Sequence, residues 1–210
     1  MIRLFCVLML CAGMARGDIL VMGDSVLAWN GSQSVGDVVA ARTGQRVVKG
    51  ARSGARIVQP NPLLRAAGLE IPRQYKRGSW DWVILNGGAN DLSGSCRCAR
   101  CDAELNTLLT SDGRNGAIAQ IVGQLRAMGA KVLIVGYYGP SGRGGGMDAC
   151  REELAELDAR AGRLAARDPG VRFVETGQVM TDPSLYDPDN VHPSPSGSAA
   201  IGALIVDALR

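Results

Sequence analysis

The sequence predicts an α/β fold: a five-stranded parallel sheet with helices on both faces. Three observations point to it. From Asp18 onward five short apolar runs appear, most of them ending at glycine. Between them stand longer stretches whose apolar residues recur every three or four positions. The two patterns alternate along the chain, and that alternation implies parallel strands joined by crossover helices.

The first strand is "DILVMG" (18–23), a continuous apolar run stopped by Gly23. "SVGDVVAARTG" (34–44) is a helix, with Ser34 as N-cap and Gly44 past its C-terminus. "QRVVKG" (45–50) and "WDWVILNGG" (80–88) are the second and third strands. "GAIAQIVGQLRAMG" (116–129) places Ile118, Ile121, Val122, Leu125 and Met128 on one helical face. "AKVLIVGYYG" (130–139) is the fourth strand, followed by a flexible "GPSGRGGG" that lacks the lysine and spacing of a phosphate loop. In the next helix Met147, Cys150, Leu154, Leu157, Ala161 and Leu164 alternate by three and four. "GVRFVET" (170–176) is the fifth strand and "SGSAAIGALIVDALR" (196–210) the closing helix.

The first 17 residues stand apart. "MIRLFCVLMLCAGMARG" has an early arginine, an apolar run from Leu4 to Met14, and small residues at Ala15 and Gly17. That is the layout of a secretory signal peptide, too short to span a bilayer comfortably; the rival reading is a buried first strand or an uncleaved anchor. Its removal leaves one domain, 18–210, in a periplasmic or secreted protein with no stable membrane insertion. Arg3 and Arg16 leave with it, so the 23 basic residues fall to 21 against 20 acidic ones. A balance so even gives no reason to expect nucleic acid as a partner. An aromatic share of 4% also argues against base stacking.

Four cysteines remain: Cys96, Cys98, Cys101 and Cys150. Three crowd into "CRCARC", within a segment of about 92–115 that is long for a connection and is expected to be a stapled insert. An even count in an exported chain implies two disulfides. One bridge then ties the insert to Cys150, because "CRCARC" can pair only two of its three cysteines internally. A four-thiolate zinc site is the alternative.

In a parallel sheet the functional loops lie at the carboxyl ends of the strands. After the first strand comes "GDSV", with Ser25 at the turn. After the second comes "RSGA", where Gly54 lets backbone approach a ligand. The third ends in "GGAND", offering Asn90 as a neutral donor, and the fifth leads to "DPDNVHP". That last stretch holds His192, the single histidine of the chain, with Asp189 three residues before it and Asp187 close enough to compete. Each piece alone is an ordinary turn; their order along one sheet is not.

With these four blocks the chain resembles the SGNH (GDSL-type) hydrolase superfamily from about residue 19 to its C-terminus. The resemblance implies a three-layer α/β/α sandwich of flavodoxin-like architecture, and hydrolysis of esters, thioesters or acetylated sugars. It implies Ser25 as nucleophile, His192 as base and Asp189 as its orienting acid. The amides of Ser25 and Gly54 and the side chain of Asn90 would form the oxyanion hole. Val26 departs from the usual leucine, and the cysteine-rich insert departs from the common pattern.

Such chemistry has a physical logic. A serine hydroxyl needs a base to remove its proton, and a carboxylate on the far imidazole nitrogen holds that base in one tautomer. No metal or organic cofactor is required, and the partner is a small-molecule or glycan ester. The expected protein is an exported serine esterase for acetyl to butyryl esters, since the chain carries no large apolar lid. An O-acetylesterase of carbohydrate or peptidoglycan, or an acyltransferase, is the alternative within enzymes. A non-catalytic envelope module is the alternative outside them.

Overall fold

The computed structural model describes residues 17–210. The expected leader therefore lies outside the described residues, Gly17 excepted. In chain order the elements are β1 (Ile19–Met22), α1 (Ser25–Ala28), α2 (Val35–Thr43), β2 (Val47–Lys49), α3 (Pro62–Ala66), β3 (Trp82–Leu85) and α4 (Ala89–Ser95). There follow α5 (Asp102–Leu108), α6 (Ala117–Ala127), β4 (Lys131–Val135), α7 (Arg151–Ala165), β5 (Val171–Val174) and α8 (Pro195–Ala208).

All five strands pair in parallel, in the order β2-β1-β3-β4-β5. The chain moves outward from β1 to β2, then returns to β1's other edge with β3. That reversal opens a crevice beyond the carboxyl ends of β1 and β3. The blocks carrying Ser25 and Asn90 follow these two strands.

Side chains alternate across each strand, so each strand feeds two cores. Leu20, Met22, Val83, Leu85, Val132 and Ile134 pack on one face beneath α4 to α7. Ile19, Val21, Trp82, Ile84, Leu133 and Val135 pack on the other, against α2 and α8. The result is the expected three-layer sandwich. Among the described residues no helix is long and apolar enough to cross a membrane.

Local chemistry explains the boundaries. Ser34 and Asp37 form a capping box at the start of α2, and Gly44 closes it in a left-handed conformation. Two expectations need correction. Helical spacing puts Met128 on the buried face of α6, but the helix ends at Ala127 and Met128 is 55% exposed. Met147 and Cys150 precede α7 rather than lying within it. Cys150 is instead bonded to Cys98, and Cys96 is bonded to Cys101.

The stapled segment is also more regular than a loop, since it contains most of α4 and all of α5. Between these helices Arg97, Cys98 and Arg100 adopt left-handed backbone angles. Such angles are uncommon for residues other than glycine; here the Cys96–Cys101 bridge brackets them, and Cys98 is itself tied to Cys150.

Candidate active site

Ser25 opens α1, immediately after the buried Asp24 that caps it. Asp24 Oδ1 accepts from the Val26 amide at 3.0 Å, and Oδ2 accepts from the Tyr137 hydroxyl at 2.6 Å. The Tyr137 oxygen in turn accepts from the Ala89 amide at 3.0 Å. One chain of hydrogen bonds thus joins the ends of β1, β4 and β3 beneath the serine. Burial raises the Asp24 pKa, against the opposing bonds from Tyr137 and Val26. Behind it, Gln74 makes paired bonds to Gly23, accepting from its amide at 2.7 Å and donating to its carbonyl at 2.9 Å.

Asn90 sits in the first turn of α4. Its Nδ2 donates to the Ala55 carbonyl at 3.0 Å, which leaves its second N–H available. The turn before it needs glycine: Gly88 has φ +127°, and a Cβ there would lie 2.5 Å from Leu157 Cδ2. Asp91, 4% exposed, accepts from the amides of Ile57 and Val58 at 2.9 and 2.8 Å. Asn90 and Asp91 together hold the loop of the second block. Burial pushes the Asp91 pKa up to about 6, although those two amides pull it down. Gly54 lies in this loop with φ +77°, exposed, and does not line the cleft that holds Ser25.

His192 comes from the turn between β5 and α8. Its Nδ1 stands 2.5 Å from Asp189 Oδ2. Asp189 Oδ1 accepts from the amides of Val191 and His192, each at 2.9 Å. Desolvation pushes the Asp189 carboxyl up, but its bonds from the His192 ring, the His192 amide and the Val191 amide outweigh that and hold its pKa below the usual carboxylate value. Asn190 provides the left-handed residue the turn requires, at φ +58°. Asn30 fastens the turn by donating to the Pro193 carbonyl at 2.8 Å, and Tyr138 by donating to the Val191 carbonyl at 2.9 Å. Asp187, the rival acid in sequence, takes the Trp29 indole N–H at 3.1 Å instead.

Ser25, Asn90 and His192 line one cleft of about 140 Å³. Its walls include Val26, Ala89, Tyr138, Met147, Leu154 and Val191. A larger hollow of about 430 Å³ lies alongside and shares Tyr137, Tyr138 and Leu154 with it. That hollow contains neither Ser25 nor His192 but does contain Asp158. Burial raises the Asp158 pKa to about 7, against the Tyr137 amide it accepts from.

The sequence profile of the GDSL-like lipase/acylhydrolase family matches residues 21–200. The chain belongs to that family. Membership implies ester hydrolysis. No curated protein matches the sequence significantly. Among solved structures, a carbohydrate acetylesterase from Sinorhizobium meliloti is 19% identical, with a TM-score of 0.68. That match covers 92% of this chain and 98% of the other. A protein from Slackia heliotrinireducens assigned to the SGNH hydrolases is 21% identical, with a TM-score of 0.63 over 93% of this chain and 100% of its own. Likenesses at such identities establish the fold of the family and leave substrate open.

Sequence reasoning missed Tyr137, Tyr138, Asp24 and Asp91 as parts of this site. The strand-end rule could have found the tyrosines, because "GYYG" follows β4 as directly as "GDSV" follows β1.

Proposed function

We propose that the protein is an exported serine esterase that cleaves short-chain carboxylic esters, acetyl esters foremost, through an acyl-enzyme. The observation that carries this reading is His192, bonded through Nδ1 to Asp189, lining one cleft with Ser25 at the switch point of the sheet. With Nδ1–H bonded to Asp189, the Nε2 lone pair is free to take the Ser25 proton. Among the described residues no hydrogen bond joins Ser25 Oγ to His192. Such bonds often tighten only when substrate is bound.

In this mechanism Ser25 Oγ attacks the ester carbonyl as His192 takes its proton. The oxyanion that forms is stabilised by the Ser25 amide and Asn90 Nδ2, the two expected donors whose residues line the cleft. Each such donor contributes roughly 3 kcal/mol in comparable sites. His192 then returns the proton to the departing alcohol, and water repeats the sequence on the acyl-enzyme. The cleft's size and short apolar lining support acetyl to butyryl groups. The adjoining hollow supports a bulky alcohol, which favours acylated carbohydrate as the second reading. Export is supported by the leader-like first 17 residues and by the two disulfides.

The test pairs a fluorophosphonate probe with an acetyl ester assay. Wild type should label at Ser25 and hydrolyse the ester. Ser25→Ala and His192→Ala should each lose at least about a thousandfold in kcat, and the double variant little more. Full activity in folded Ser25→Ala would overturn the assignment.

A further inference from the structure

His192 has its imidazole edge on Asp189 and its face on Trp29. The two rings lie parallel, 3.8 Å between centroids and 7° between planes. Trp29 belongs to neither apolar core cluster and does not line the cleft. Its place is behind the histidine, where substrate packing does not account for it.

Three bonds fix that place. The Trp29 amide donates to the Ser25 carbonyl at 2.9 Å, as the C-cap of α1. Its indole Nε1 donates to Asp187 Oδ2 at 3.1 Å. The Asp187 amide donates to the His192 carbonyl at 2.8 Å. Trp29 is therefore tied by its backbone to the serine's own turn and by its side chain to the histidine's turn.

A single bond at Nδ1 constrains an imidazole incompletely, because the ring can still pivot about the Nδ1···O axis and swing Nε2 away. A flat aromatic surface against one face removes that pivot. Resting on the reading of His192 as the base, we propose that Trp29 is a positioning residue, which registers Nε2 of His192 against Ser25, and that Asp187 holds the indole in place. The "DPDN" turn then uses its two aspartates for two jobs: Asp189 fixes the imidazole edge, and Asp187 fixes the ring that supports its face.

Because His192 is the single histidine, its ring nitrogens can be followed by NMR in untagged, 15N-labelled full-length protein without ambiguity. In wild type the neutral ring should hold one tautomer, protonated at Nδ1, with slow exchange of that proton. In Trp29→Leu we expect a mixture of tautomers, faster exchange, and a kcat lower by about ten- to a hundredfold with little change in KM. Trp29→Phe, which keeps a flat ring but loses the indole bond, should recover part of both. Asp187→Ala should shift the histidine signals in the same direction, and Asp187→Asn should do so less. If Trp29→Leu does not fold, the Trp29→Phe and Asp187 pair carry the test by the same readouts. Unchanged histidine signals in the folded variants, or a loss confined to KM, would overturn the proposal. The same NMR comparison in a Ser25→Ala background does not depend on esterase activity, so it separates failure of this proposal from failure of the functional reading.

Discussion

Asp189 and Asp91 each bind two consecutive backbone amides, the first through one oxygen and the second through both, and their pKa values move in opposite directions. Each carboxylate accepts from two consecutive amides at 2.8 to 2.9 Å: Val191 and His192 for one, Ile57 and Val58 for the other. Yet the pKa of Asp189 is lowered, and that of Asp91 is raised to about 6. The Asp189 side chain is 39% exposed and has the imidazole as a third partner, whereas Asp91 is 4% exposed and has no such partner. Two amide bonds do not by themselves decide charge; burial and the neighbouring ring do. The exposed acid is suited to remaining ionised beside a histidine that gains a proton during the reaction. The buried one is suited to holding a loop.

The largest effect should come from removing charge at the exposed acid. Asp189→Asn is expected to lower kcat by about 10²- to 10⁴-fold, because the amide favours the wrong imidazole tautomer. Stability should change little at so exposed a site. A loss below about threefold, measured by steady-state kinetics on the folded variant, would break the contrast.

Asp91→Asn should act the other way round, mainly on stability. An amide offers one acceptor oxygen, so one of the Ile57 and Val58 N–H groups loses its partner at a cost of about 1–3 kcal/mol. Activity should fall by about tenfold, through the loop whose Ala55 carbonyl anchors Asn90. Denaturant unfolding and kcat measured together would show which loss dominates.

The smallest effect is a pH slope. Asp91 and Asp158 have folded pKa values of about 6 and about 7, both above the ordinary 3.8. A raised folded pKa contributes stability that is present in full below the unfolded value and lost as pH rises through the folded one. Unfolding free energy should therefore decline between pH 4 and pH 8. Asp189, with its lowered pKa, contributes in the opposite sense and only below that window. Asp158→Asn keeps an acceptor for the Tyr137 amide and should flatten the decline. An identical slope in wild type and Asp158→Asn would show that Asp158 does not carry it.

What the sequence revealed follows from the range of each interaction. Asp189 and His192 are three residues apart in a proline-bounded turn, so their pairing was legible without a structure. The strands were legible because each is a short apolar run bounded by polar or glycine-rich residues. Asp91 was not legible as a loop anchor, since its partners lie 33 and 34 residues earlier in a segment with no periodicity. The Trp29–Asp187 bond spans 158 residues and leaves no local trace. Met128 misled because helical spacing continues past the residue where the helix stops. Local chemistry reads well; contacts that depend on which loops meet do not.

The Cys98–Cys150 bond makes residues 98–150 a closed covalent ring. Within that ring lies the glycine-rich stretch after β4, with Gly142, Arg143 and Gly144 exposed. A peptidase acting after Arg143 would open the ring without dividing the molecule, because the fragments on either side still share a sulfur bridge. Tyr138 would remain on one piece and Met147 on the other, both still part of the same cleft wall. Wherever a peptidase meets the protein, the bridge thus keeps the two sides of this exposed connection joined.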